Sequence, residues 1–280
     1  MASELVKAFF IGIIQGVTEW LPVSSTGHML LFDRVVRLSL SDAELVLFLT
    51  LIQLASALAV VITGFFDLFP FLRRGAEKDQ LRRGLLLWAK LALGSLPIAV
   101  VGLIFNDLID SLVTGDAVTP VIAGALIFYG AGFIAVELAR KNKPDRVASL
   151  DEIGFADAFL VGCFQSLAIV PGTSRSGATI LGARLIGISR PAATAFSFYL
   201  SVPAMLGAGG LKVVKYLSAG NVLPEAKSLA VIALGCAVSF GVSMLAMEFL
   251  RGFVRKHSFI PFGIYRIALG ILLLAGGLFS

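Results

Sequence analysis

The sequence predicts an all-α polytopic membrane protein made of two inverted repeats, each a re-entrant helix hairpin plus three transmembrane helices. Three observations predict it. Of the 280 residues, 58% are hydrophobic and only 15% charged, and the mean hydropathy is +0.93. Apolar runs of about 20 residues recur, the length that crosses roughly 30 Å of hydrocarbon. Finally, two apolar segments are interrupted midway by similar clusters of Pro, Gly and Ser, and each is followed by three unbroken runs.

In chain order, residues 5–32 form the first broken segment, and spans follow at 43–66, 84–105 and 117–137. The second broken segment covers 155–189, followed by spans at 192–215, 228–250 and 260–279. Each half of a broken segment is too short to cross alone. Such segments are tolerated at membrane depth where they are buried in protein or line a wet cavity. The expected organisation is one integral membrane domain over 1–280, with repeat one at 1–145 and repeat two at 146–280. The N-terminus, MASELVKAFF, lacks the basic region and cleavage site of a removable signal. Cys163 and Cys236 lie far apart in apolar segments and read as small core residues, with neither disulfide nor metal spacing.

The connecting loops set the sides. Arg73, Arg74, Lys78, Arg82 and Arg83 fall in 67–83, Arg140, Lys141, Lys143 and Arg146 in 138–153, and Arg251, Arg255 and Lys256 in 251–258. The loop 106–116 carries Asp107, Asp110 and Asp116 without a basic residue, and 216–227 has Lys227 against Glu225. The positive-inside rule places the first three loops in the cytoplasm and the last two outside, with both chain ends on the outer side. Basic residues confined to such loops argue against nucleic acid as a partner.

The broken segments read QGVTEWLPVSSTG and QSLAIVPGTSRSG. Both have Gln, then Pro, then a Ser three residues after the Pro, then Gly shortly beyond. Three spans separate one unit from the next, so the second enters from the opposite side. In inverted repeats the broken helices meet near the midplane and form the binding site.

Gln15 and Glu19, four apart, share a helix face. A carboxylate at this depth costs roughly 2.5 kcal/mol or more and marks function by default, although interhelical hydrogen bonding is the plain alternative. Pro22 ends the first half-helix, and Ser24, Ser25 and Thr26 are good N-cap residues for a second. A helix beginning inside the membrane turns free N–H groups and its positive end toward the cavity, a ready anion site. His28, three residues past Ser25, is an acid/base candidate. The other histidine, His257, sits in the basic loop RKHSF and reads as an interface residue. In PGTSRSGAT, Gly172 and Gly177 let backbone approach a ligand, while Ser174, Ser176 and Thr179 supply hydroxyls. Arg175 supplies a forked cation suited to phosphate oxygens. Together these residues describe a phosphate-handling site open to lipid. Lys90, Glu137, Arg184 and Glu248, near span ends, read as snorkelling anchors. Gln53 and Arg266 lie deeper and read as structural hydrogen-bonding groups.

QGVTE with LPVSSTGHM, and PGTSRSGAT, resemble the two signatures of the bacterial undecaprenyl-diphosphate phosphatases of the bacitracin-resistance type. The segments around Gln53 and SFIPFGIYR extend the likeness over essentially the whole chain. The resemblance implies removal of the terminal phosphate of undecaprenyl diphosphate at the outer face of the bacterial inner membrane. That reaction recycles the carrier for peptidoglycan and other envelope polymers and confers bacitracin resistance. The resemblance also implies an inverted-repeat fold that tends to dimerise and a divalent cation, magnesium or calcium. Gln15 and Glu19 are the metal candidates; the family accepts Glu or Gln at the first position. The expected mechanism has Arg175 and the helix N-termini clamp the diphosphate while Ser25 attacks the distal phosphorus. Glu19 or His28 takes the proton, and His28 itself is the competing nucleophile. Ser24, Thr26, Gly172, Ser174, Ser176, Gly177 and Thr179 are expected around the diphosphate. A lipid-phosphate flippase would use the same anion site without needing a nucleophile and base. An acid-phosphatase-like mechanism needs a second histidine with an aspartate four residues on, a pair this sequence lacks.

Overall fold

The computed structural model describes residues 1–73, 75, 77–105, 118–220 and 224–277. Arg74 and the acidic loop with Asp107, Asp110 and Asp116 therefore lie outside the described residues. The described residues are helical, with no strand among the named elements. The longer helices are α1 (Ala2–Trp20), α2 (Ser25–Val35), α3 (Asp42–Thr63), α4 (Lys78–Ile104) and α5 (Val118–Arg140), then α6 (Phe155–Ser166), α7 (Arg175–Leu185), α8 (Arg190–Ser218), α9 (Ala226–Val254) and α10 (Ile260–Gly277). The protein is a multi-pass membrane protein. Helices α3, α4, α5, α8 and α9 are long and apolar enough to cross a bilayer. α10 has 18 residues, about 27 Å at the usual helical rise.

Local chemistry explains the boundaries. Ser41 and Glu44 form a reciprocal capping box at the start of α3, and Ser189 caps α8 through the Ala192 N–H. α1 stops because Leu21, which precedes Pro22, is extended (φ −70°, ψ 140°). Val170, before Pro171, is extended in the same way, as crowding by a following proline dictates.

Helices pack through small residues, as expected where lipid removes the hydrophobic drive for association. α1 runs beside α9 in the same direction: a Cβ on Gly12 would lie 2.8 Å from the Gly235 carbonyl oxygen, and one on Gly16 2.8 Å from that of Ser239. α6 lies in the same way along α4, where a Cβ on Gly162 would come within 2.1 Å of the Gly94 carbonyl oxygen. α5 and α10 run antiparallel through the reciprocal contact of Gly130 and Gly263. α3 and α8 are also antiparallel, with Leu54 against Gly209 and Tyr199 against Gly64. Buried hydroxyls of Ser56, Ser239 and Ser243 link α3 to α9 at 2.8 and 2.9 Å.

Asp67, Ser149 and Arg251 line one hollow, so the three basic loops meet at one end of the bundle. Here two residues read from the sequence as snorkelling anchors prove to be something else. Glu137 and Arg184 are each 3% exposed. Arg184 Nε donates to Glu137 Oε1 at 3.3 Å and its Nη1 to Asp145 at 2.8 Å, while Arg190 also bonds Glu137. Their charges are matched by partners about fifty residues away in sequence, which removes the need to reach water.

Candidate active site

The two interrupted segments meet inside the bundle. Each second half-helix begins at a serine with positive φ, Ser24 at 73° and Ser174 at 66°. Each Oγ accepts a hydrogen bond from the N–H three residues on, Gly27 at 3.4 Å and Gly177 at 3.1 Å. Gln15 and Gln165 stand nine residues before these serines. The structural register thus matches Ser24 with Ser174, and Ser25 with Arg175. Counting from the prolines instead pairs Ser25 with Ser174, a shift of one that arises because Pro171 sits one residue further from its cap than Pro22. A non-glycine residue in this conformation costs about 1–3 kcal/mol and concentrates at functional sites.

Around these caps the first segment contributes a carboxylate and the second a cation. Arg175 Nη2 donates to Glu19 Oε1 at 2.8 Å. Gln15 Nε2 and Ser25 Oγ both donate to the other oxygen, Oε2, at 3.0 and 3.2 Å. The guanidinium sits over the Trp20 ring at 6.0 Å, and its Nη1 is buried without a hydrogen-bond partner among the described residues. Gly172 turns the chain at φ 90°, with the Ile122 carbonyl oxygen 2.6 Å from where a Cβ would stand, so only glycine fits. Arg266, fully buried, donates to the carbonyls of Pro22, Gly172 and Thr173 at 3.2, 3.0 and 2.8 Å. One side chain thereby ties both turns together, in line with its structural reading.

Glu19, Ser25, Thr26, Gly172, Ser174 and Arg175 line one side of a cavity of about 270 Å3. Ile98 on α4 and Ala204, Met205 and Ala208 on α8 provide an apolar wall. Gln53 and Lys212 also line it. Gln53 thus faces the cavity instead of serving only as internal glue. Lys212 was passed over in the sequence because it sits near the end of an otherwise apolar span, as snorkelling lysines do.

Other candidates stand back from this cavity. Ser24 is buried as a cap. Ser176 donates to the Glu19 carbonyl at 3.1 Å, Thr179 bonds Ser197 at 2.6 Å, and Gly177 lies against Arg266. They hold the hairpins together. His28 bonds the Ser24 carbonyl through Nδ1 at 2.7 Å and the Tyr265 hydroxyl through Nε2 at 2.6 Å, and it is not among the cavity-lining residues. Among the described residues no group of three His, Cys, Asp or Glu could enclose a metal ion.

A family model described as bacitracin resistance protein BacA matches residues 8–272. A protein of Enterococcus faecalis named undecaprenyl-diphosphatase is 43% identical over 273 residues, covering 97% of this chain and 96% of that protein. Proteins of the same name from Acetivibrio thermocellus and Streptococcus agalactiae are similar too. The first is 43% identical, covering 96% of each chain; the second is 44% identical, covering 97% of this chain and 95% of that one.

Proposed function

This chain belongs to the bacitracin resistance protein BacA family, and from that membership we infer that it is an undecaprenyl-diphosphate phosphatase. It hydrolyses undecaprenyl diphosphate to undecaprenyl phosphate and inorganic phosphate, recycling the lipid carrier for peptidoglycan and other envelope polymers and supporting bacitracin resistance. The observation that carries the reaction to one place is Arg175. One of its terminal nitrogens is paired with Glu19, the other has no hydrogen-bond partner among the described residues, and the side chain lines the cavity. A diphosphate oxygen satisfies that nitrogen and draws the guanidinium from Glu19, leaving the carboxylate free to accept a proton.

The chemistry follows from these contacts. Ser25 Oγ lies 3.2 Å from Glu19 Oε2, within reach for general-base catalysis. Ser25 attacks the distal phosphorus, its proton passes to Glu19, and the bond to the bridging oxygen breaks with the electron pair leaving on undecaprenyl phosphate. Glu19 hands that proton to the departing undecaprenyl phosphate, then takes one from the water that attacks the phosphoserine and returns it to Ser25 Oγ as the ester bond breaks and inorganic phosphate departs. Arg175 and the N-terminal amides of α2 and α7 offset the charge on the transferring group. The apolar wall of Ile98, Ala204, Met205 and Ala208 suits the first isoprene units of the tail.

Glu19, which lines the cavity, would hold a divalent cation, whereas Gln15, expected as a second ligand, is buried outside the lining and orients Glu19 through its Nε2. A single carboxylate that leaves most of the coordination sphere to substrate phosphates is a common magnesium arrangement. Such a cation would neutralise phosphate charge.

The parallel packing of α1 with α9 and of α6 with α4 supports the inverted arrangement of the repeats. Arg175 lies about 14 Å along α7 from Arg184 at the basic end, close to mid-depth. With the basic loops in the cytoplasm, the cavity opens to the outer side of the inner membrane.

Phosphate release from undecaprenyl diphosphate by the purified protein tests this reading. Wild type should turn over, and Arg175→Ala should not. Comparing Ser25→Ala with His28→Ala then decides the nucleophile, because a variant that retains turnover cannot lack it. Substrate that stays bound and intact under every cation condition would leave a lipid-phosphate flippase instead.

A further inference from the structure

We propose that Lys212 is a second phosphate-binding cation of this cavity, holding the phosphate that Arg175 does not, and so selecting organic diphosphates over monophosphates. The proposal rests on the phosphatase reading above and names a specificity residue for it.

Charge balance is the first argument. Glu19 already matches Arg175 at 2.8 Å, so the pair contributes almost no net field to a ligand. A prenyl diphosphate brings several negative charges into that space. Among the described residues lining the cavity, Lys212 is the other cation, and it is exposed with no ion pair assigned to it. It is therefore available to the ligand without first breaking a contact.

Placement is the second. α8 crosses α3 where Gly209 meets Leu54, beside Gln53. Lys212, three residues on, presents itself on the same side of α8. It stands about 33 Å along α8 from Arg190, which bonds Glu137 at the basic end together with Arg184. The cavity thus runs from the hairpin turns toward the opposite end of the bundle, and Lys212 and Gln53 line it together with Arg175. A lysine near a span end ordinarily snorkels. This one shares a cavity with the reacting groups, and a flexible ammonium there reaches a phosphate that a fixed guanidinium does not.

The test measures equilibrium binding of a farnesyl methylenediphosphonate, which resists hydrolysis, and of farnesyl monophosphate, with magnesium present. Wild type, Lys212→Gln and Lys212→Arg are compared. Lys212→Gln should weaken the diphosphonate by about tenfold or more, the loss expected for one charge-assisted bond. It should leave the monophosphate within about twofold, and Lys212→Arg should restore most of the difference. Unchanged diphosphonate binding in Lys212→Gln would overturn the proposal. So would an equal loss for both ligands, which indicates a general field or a packing defect. Wild type that binds the diphosphonate but releases no phosphate from undecaprenyl diphosphate would sink the phosphatase reading and leave the Lys212 result standing.

Discussion

Arg175 at the start of α7 and Arg266 on α10 both place a guanidinium at the hairpin turns, yet their partners give them different work. Arg175 has one nitrogen on Glu19 and one without a partner among the described residues; Arg266 spends its guanidinium on three backbone carbonyls. Arg175→Ala should therefore lower phosphate release by about 100- to 1000-fold, the usual effect of deleting one donor to a developing anion, and lower the thermal midpoint too, because Glu19 loses its counter-charge. Arg266→Met should do the reverse in emphasis. It leaves carbonyls unpaired at about 1–3 kcal/mol each, so the thermal midpoint in detergent should fall markedly. Arg266→Lys should recover only part, lacking the fork. A stable Arg266→Met variant would mean that the turns hold without the tie.

For the helices, small residues decide how closely the broken segments dock. A Cβ on Gly162 would stand 2.1 Å from a backbone oxygen of α4, where no side chain can yield. Gly162→Ala should cost about 1–3 kcal/mol, seen as a lower midpoint in thermal size-exclusion, whereas Gly241→Ala, with open space around it, should be silent. Helix limits were legible beforehand because caps and prolines act locally: 43–66 became Asp42–Thr63 and 192–215 became Arg190–Ser218. Which serine caps α2 was not legible. Ser24, Ser25 and Thr26 are all acceptable caps by type, and only the positive φ of Ser24 separates them.

Two experiments address the molecule as a whole. In a cysteine-free background, a membrane-impermeant maleimide should label Lys212→Cys in intact cells and Arg255→Cys only after permeabilisation; the opposite pattern would reverse the orientation. Chelation should abolish turnover, and magnesium should restore it. Because Glu19 is the one carboxylate among the described residues that line the cavity, a cation that stayed tightly bound without substrate would contradict the shared site drawn above.

The multi-pass apolar pattern, loop charge and the presence of two polar interruptions were determined by the sequence alone. They answer to the surrounding lipid and to local backbone chemistry, which act on every residue in place. Pairings across the chain belonged to the tertiary structure. Glu19 faces Arg175 across 156 residues, Glu137 and Arg184 form a buried pair, and His28 turns toward Tyr265. Hydropathy ranks a charged residue by its cost in lipid, and only packing reveals the partner that offsets it.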